Sequence, residues 1–144
     1  MKNATLSAST GIGFDLGSGN TIQGCTAASN RGDGIRLLNF TLARGNDCTS
    51  NGSNGDGAGI HAISFANRIE ANNIVSNDRG IDVDSAGNVI IQNSAKQNTT
   101  NYDIAANNVF GTIVDRTAAI SAAVTGNSAP SSAGTTDPWA NISY

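Results

Sequence analysis

The sequence is poor in charged, aromatic and proline residues. Only 13% of its 144 residues are charged, 5% are aromatic and two are proline. Lys and Arg total 8 against 11 Asp and Glu, and no basic cluster is present. The chain therefore lacks the electrostatic footprint that nucleic-acid-binding proteins show, and we expect no nucleic-acid partner.

Long apolar runs are missing as well. No run approaches the ~20 apolar residues of a membrane span, and the start "MKNATLSAST" lacks the apolar core of a signal peptide, so we expect no membrane partner. Cys25 and Cys48 have no CxxC spacing and no companion cluster of Cys or His, which predicts no zinc site and leaves a disulfide between them open. Asn, Gly, Ser, Thr and Ala dominate instead, and this composition disfavours helices.

A repeat runs through most of the chain. It begins with "GIGFDL" at Gly11 and returns as "GIRLLN" at Gly34, "GIHAIS" at Gly59, "GIDVDS" at Gly80 and a degenerate "NYDIAA" at Asn101. A second segment, such as "RIEANNIVSN" after the third copy, repeats with the same spacing. The period is about 21 to 25 residues and is carried by two short apolar segments per copy.

Aligned on this period, apolar residues form four columns that we expect to face inward. These columns are Ile12/Ile35/Ile60/Ile81/Tyr102, Phe14/Leu37/Ala62/Val83/Ile104, Ile22/Leu42/Ile69/Ile90/Phe110 and Ala27/Cys48/Ile74/Ala95. Asparagine dominates two further columns, Cys25/Asn46/Asn72/Asn93 and Asn30/Asn51/Asn77/Asn98. Asn tolerates left-handed backbone, and its amide can bond to the same group one coil away, which suits the corners of a solenoid.

Each apolar segment is short and alternates with period two, which indicates strands rather than helices. With coils stacked ~4.8 Å apart, five coils form a stack about 24 Å high. These repeats resemble right-handed parallel β-helix proteins of the pectate-lyase-like superfamily, and residues 77–108 resemble the last coils of longer bacterial members. The resemblance implies an all-β, single-stranded right-handed parallel β-helix and an extracellular or cell-surface location.

The repeat divides the chain into three parts. We expect an N-terminal lead-in or cap at residues 1–10, β-helix coils at 11–115 and an extended C-terminal tail at 116–144. Apolar residues recur in the tail, at Ile120, Val124, Trp139, Ile142 and Tyr144. They favour a segment laid along a wall or over the last coil of the β-helix or on a neighbouring subunit, where it covers an edge that would otherwise pair with another chain.

A second alternation predicts the side chains that face outward from the first strand of each coil, namely Gly13, Arg36, His61, Asp82 and Asp103. This register places His61, the only histidine, between a guanidinium and a carboxylate, with Asp84 two residues beyond Asp82. The long glycine-rich loop at 52–58 would form one wall of a cleft beside it. We take His61, Asp82, Asp84 and Arg36 as candidate catalytic residues and Asp103, Ser64 and Ser85 as candidate substrate contacts.

Family motifs do not decide the chemistry. In lyases of the resembling superfamily, acidic residues bind calcium and an Arg or Lys abstracts the proton, whereas epimerases use an Asp-Pro-His motif; "GIHAIS" matches neither. The sequence predicts no resident cofactor and no metal ligands. Calcium is the one ion to consider, because "NGSNGDGAG" resembles a single copy of a calcium-binding nonapeptide that normally works in tandem arrays.

Outward apolar residues point to assembly. Leu38, Ile63, Phe65, Val89 and Ile91 are expected on the outside of the coils, and a short solenoid with open ends tends to cover such residues in an interface. We expect a homotrimer first and a homodimer second. Three functions stay open: a self-associating structural or carbohydrate-binding module, a glycan-active lyase, epimerase or glycoside hydrolase, and a small ester hydrolase using Ser64 or Ser85 beside His61.

Overall fold

The computed structural model describes residues 1–115 and 135–144, and these residues form strands and turns without a helix. None of them therefore belongs to a helix that could cross a membrane. The strands are β1 (Thr5–Ser7), β2 (Phe14–Leu16), β3 (Thr21–Gln23), β4 (Thr26–Ala28), β5 (Ile35–Leu37), β6 (Leu42–Arg44), β7 (Asp47–Thr49), β8 (Ala58–Ala62), β9 (Arg68–Glu70), β10 (Asn73–Val75), β11 (Arg79–Val83), β12 (Val89–Ile91), β13 (Ser94–Lys96), β14 (Thr100–Ile104), β15 (Val109–Phe110), β16 (Ile113–Asp115) and β17 (Asn141–Ser143).

Three parallel sheets enclose one core, so the fold is the expected parallel β-helix of about five coils. Wall 1 has the strand order β14-β11-β8-β5-β2, and wall 2 has the order β15-β12-β9-β6-β3. Wall 3 has seven strands in the order β1-β4-β7-β10-β13-β17-β16. Strands β1 to β15 pair in parallel with equivalent strands of neighbouring coils, because each strand is followed by a corner and the chain returns one rung further on.

The core confirms most of the predicted inward columns, but the first copy of the repeat was misaligned. Phe14 pairs with Ile35, so Ile12 is not the equivalent of Ile35, and Leu16 rather than Phe14 pairs with Leu37. On wall 2, Ile22 pairs with Ala43 and not with Leu42. Each residue of β3 pairs with the residue 21 positions later in β6. The inward position after Ile22 is therefore occupied by the small Ala43, which is fully buried.

A glycine column explains the correct alignment. Gly13, Gly34, Gly59 and Gly80 precede the first inward residue of each wall 1 strand, and a Cβ on any of them would lie 2.3–2.9 Å from the carbonyl oxygen of the equivalent residue in the next coil. Only glycine permits this approach. In the first copy, Gly13 is therefore the equivalent of Gly34. Gly11 has open space around it and is not part of this column, although the sequence "GIG" suggested it.

Buried asparagine ladders hold the corners together, as the sequence predicted. Asn51 Nδ2 donates to Asn77 Oδ1 at 2.9 Å, and Asn77 Nδ2 donates to Asn98 Oδ1 at 2.9 Å. A parallel ladder runs through Asn46, Asn72, Asn93 and Asn141. The sequence missed a third ladder, in which Asn67 and Asn88 accept from the backbone N–H of the coil before. These amides satisfy backbone groups that the corners would otherwise bury without partners.

The end of the chain enters wall 3. Strand β17 lies between β13 and β16 and pairs with both, so β16 and not the tail forms the edge of the sheet. Asn141 Oδ1 accepts from the backbone N–H of Asn93 at 3.0 Å, which extends a ladder into the tail. Trp139 and Tyr144 are exposed, whereas Ile120 and Val124 lie outside the described residues.

The core changes one further prediction and settles the open question of a disulfide. Phe110 pairs with Ile90 as expected, but it is 51% exposed because no described strand of wall 2 lies beyond β15. Cys25 and Cys48 are both buried, and both thiols are free.

Candidate functional site

The outward column of wall 1 follows the predicted order from its second member onward. Arg36, His61 and Asp82 are neighbours in consecutive strands, and Asp103 pairs with Asp82 in the next strand. The first member is Asp15 instead of Gly13, for the same reason of alignment as in the core. Arg36 binds this Asp15 at 2.6 Å, so its guanidinium is committed to the coil on the side away from His61.

His61 is held by carboxylates on both ring nitrogens. Its Nδ1 lies 3.0 Å from Asp33 Oδ2, and its Nε2 lies 3.1 Å from Asp84 Oδ2. Asp82 Oδ2 is 3.8 Å from the same Nε2. The predicted grouping of His61 with Asp82 and Asp84 is therefore present, and the side chain of His61 is only 20% exposed.

Asp33 is the member of this cluster that the sequence did not reveal. It lies in the corner before Gly34, within the sequence "RGD", and is 28 residues away from His61. Its second oxygen accepts the backbone N–H of Ala58 at 2.8 Å. The backbone at the start of β8 thus fixes the Asp33 carboxylate, which in turn orients His61. No local sequence pattern predicts this contact.

The glycine-rich loop lines a cleft beside His61 through Asp56 and Gly57, in the place where one wall of a cleft was expected. Asp56 Oδ1 in this loop lies 2.6 Å from Arg79 Nη2, and the other Nη of Arg79 donates to Asp82. Arg79 was not among the predicted site residues, although its place at the start of β11, three residues before Asp82, could have suggested the pair. Together these side chains shape a cleft of about 260 Å³. The cleft is lined by Ile12, Gly32, Asp33, Arg36, Asp56, Gly57, His61, Arg79 and Asp82.

Burial and charge act in opposite directions on the titration of this cluster. Burial opposes the charged form of His61, but the hydrogen bonds that its ring donates to Asp33 and Asp84 and the negative charges of Asp33 and Asp82 outweigh burial and raise the pKa of His61 to about 9. His61 is therefore a cation at neutral pH and donates from both nitrogens. Burial also raises the pKa of Asp82, against the opposing effects of His61 and Arg79.

The structure separates the other predicted residues from this cleft. Asp103 is exposed at the last coil, and neither Ser64 nor Ser85 lines the cleft. The hydroxyl of Ser85 donates to the carbonyl of Ile63 at 3.3 Å. No serine is thus in position as a nucleophile next to His61 among the described residues that form the cleft.

The donor set of the cluster includes types that bind metals. His61, Asp82 and Asp84 each offer one ligand atom, and these three atoms all lie within 4.8 Å of one another. The loop that resembles a calcium-binding nonapeptide contributes Asp56, whose carboxylate pairs with Arg79.

Part of the predicted apolar surface is present on the outside of the corner between walls 1 and 2. Leu38 is 40% and Phe65 48% exposed, and Phe40, which the sequence reading missed, is 60% exposed. The rings of Phe40 and Phe65 meet edge to face at 5.4 Å. Ile91 was expected outside but is buried, whereas Ile63 and Val89 are half-buried.

Comparison with known proteins supports the fold. The sequence model of the family described as "Right handed beta helix region" matches residues 1–100, which is more than half of the chain. Comparisons with curated proteins and with solved structures found no match.

Proposed function

The chain belongs to the right-handed β-helix family, and we propose that it is a non-catalytic member that binds neutral oligosaccharides in the cleft around His61 and self-associates through its apolar corner. The fold alone hosts many activities, so the proposal depends on the site. The observation that carries it is a cleft of about 260 Å³ in which every charged side chain already has a partner of opposite charge.

Paired charges favour a neutral, hydroxyl-rich ligand. Arg36 is paired with Asp15, Arg79 with Asp56 and Asp82, and His61 with Asp33. A charged sugar would have to displace one of these partners. A neutral sugar would not, because carboxylate oxygens keep spare lone pairs and guanidinium groups keep spare N–H donors, which match the vicinal hydroxyls of a sugar ring. Fixed polar groups that converge on a concave surface are typical of small-molecule sites.

Binding can be tested with two variants of ion-paired arginines. Arg36 lines the cleft and pairs with Asp15, whereas Arg44 on wall 2 pairs with Glu70 at 3.6 Å, outside the cleft. We expect wild type to bind a neutral oligosaccharide on a glycan array, Arg36→Gln to bind it about tenfold more weakly, and Arg44→Gln to bind it as wild type does. Equal binding by all three proteins would contradict the assignment of the cleft.

A glycan-active enzyme is the second candidate, and one observation favours it. Asp82 is 5% exposed and burial raises its pKa, and Asp84 offers a second carboxylate oxygen within 4.8 Å of it, so two carboxyl groups in different environments lie side by side. Release of reducing ends from the oligosaccharide that binds, lost in Asp82→Asn, would establish this alternative. Unchanged oligosaccharide after prolonged incubation supports the binding module.

Self-association is supported by the ring of Phe40, which is 60% exposed and meets the exposed ring of Phe65. The backbone of Phe40 has a left-handed φ of 53°, a conformation that is rare for bulky residues. Asn is well tolerated in this conformation, so Phe40→Asn removes the ring without adding strain. We expect light scattering to show a trimer, or failing that a dimer, for wild type and a monomer for Phe40→Asn. A monomeric wild type would contradict the assembly.

A further inference from the structure

We infer that His61, Asp82 and Asp84 form a binding site for a divalent transition-metal ion, with Zn²⁺ as the best match. The three ligand atoms are His61 Nε2, Asp82 Oδ2 and Asp84 Oδ2. One imidazole nitrogen and two carboxylate oxygens suit Zn²⁺ better than Ca²⁺, which prefers six or more oxygen ligands. The inference does not depend on whether a sugar binds in the cleft.

The distances fit a small tetrahedral ion. Zn²⁺ bonds N and O ligands at about 2.0–2.1 Å, so two ligand atoms of a tetrahedral site lie about 3.3–3.4 Å apart. The observed separations from His61 Nε2 are 3.1 Å to Asp84 and 3.8 Å to Asp82. These two values bracket the ideal separation, and the two carboxylate oxygens lie within 4.8 Å of each other, so the carboxylates would move closer together around the ion. The ion would replace the Nε2 proton of His61.

The surroundings supply the support that metal-binding histidines need. Asp33 bonds to the other ring nitrogen of His61 at 3.0 Å, which fixes the tautomer that leaves Nε2 for the metal. Asp33 is itself held by the Ala58 backbone N–H, so the orientation comes from the framework of wall 1. Arg79 holds Asp82, whose carboxylate keeps lone pairs for a second partner.

The site also has the right charge and access. Asp33, Asp82 and Asp84 surround His61, and once the ion has replaced the Nε2 proton only the charge of Arg79 opposes these three carboxylates, so a dication balances the remaining excess. Asp82 is buried, but Asp84 is 53% exposed, which leaves one side of the cluster open to solvent. Three protein ligands with an open fourth position can hold a water molecule or a ligand oxygen on the ion.

The test uses the single histidine of the chain as its own reporter. Untagged, chelator-treated protein labelled with ¹⁵N is titrated with ZnCl₂ in neutral buffer free of phosphate and citrate. We expect one equivalent by calorimetry and a large change of the His61 Nε2 signal, with loss of its N–H. The buried thiols of Cys25 and Cys48 do not affect this signal, so binding to cysteine is distinguished from binding at the cluster.

Two variants on wall 1 complete the test. Asp84→Asn removes one ligand at an exposed position, and we expect it to weaken Zn²⁺ binding by at least about tenfold while the fold is retained. The matched control is Asp103→Asn, which removes an exposed carboxylate one strand further on, outside the cluster, and should bind as wild type does. A His61 signal that Zn²⁺ leaves unchanged, or equal affinities of Asp84→Asn and wild type, would overturn the site.

Discussion

Replacing Asn77 by alanine should be among the most destabilising single changes in this protein. Asn77 is 4% exposed, and its Oδ1 accepts both the backbone N–H and the side-chain Nδ2 of Asn51, each at 2.9 Å. Its Nδ2 donates to Asn98 Oδ1 at 2.9 Å and to the Cys48 carbonyl at 3.1 Å. Alanine would orphan two buried donors of Asn51, and each orphaned buried group costs about 1–3 kcal/mol. We expect a loss of about 3–5 kcal/mol in the free energy of unfolding.

Equilibrium unfolding in urea, followed by circular dichroism, measures this loss. The matched control is Asn73→Ala, four residues earlier, where the side chain is exposed and makes one hydrogen bond to Asp47 at 3.0 Å. That variant should change stability by less than about 1 kcal/mol. If Asn77→Ala also costs less than about 1 kcal/mol, the ladders are not what stabilises the corners and the reasoning fails.

Two further predictions concern wall 1. The pKa of His61 is about 9 in the folded chain and 6.5 without the fold, so protonation of His61 contributes at most about 3–4 kcal/mol to stability. This contribution is complete below pH 6.5 and is lost as pH rises through about 9. His61→Gln should therefore flatten this part of a profile of stability against pH, and an unchanged slope would contradict the carboxylate contacts. Gly59→Ala places a Cβ 2.6 Å from Ile74 Cγ2, and we expect it to lower the free energy of unfolding by about 2–3 kcal/mol, measured by thermal unfolding. Gly17→Ala, a position with open space around it, should change this free energy by almost nothing. Similar losses for the two variants would refute the role of the glycine column.

Most of the fold could be predicted because each coil repeats the same pattern of apolar residues and asparagines. Ile60 and Ile81 occupy equivalent places in well-preserved copies, and the asparagine columns appear at fixed offsets from them. The first copy failed because "GIG" offers two glycines, and only the contact with Gly34 of the next coil shows that Gly13 is the anchor. The prediction placed the bulkier Leu42 in the core instead of Ala43, but the register of the strands, and not side-chain size, decides which side chain faces inward.

The candidate site was only partly predictable. Alternation along the wall 1 strands is enough to place His61 beside Asp82 and Asp84. Asp33 and Arg79 could not be assigned in the same way. Asp33 contacts His61 from a corner, and Arg79 forms an ion pair with Asp56 in the loop, so neither contact follows from alternation along a strand. Strand β17 lies next to β13, in the position that the repeat would give to β16. A repeat pattern does not predict which of the two strands takes this position.

The most direct test of the central claim is a map of amide and imidazole chemical shifts during titration with a neutral oligosaccharide that the protein binds on an array. The account predicts that the largest changes fall on Asp33, Arg36, His61 and Arg79, which face one another across the cleft. Changes confined to wall 2 or to the exposed rings of Phe40 and Phe65, with the His61 signals unmoved, would contradict it.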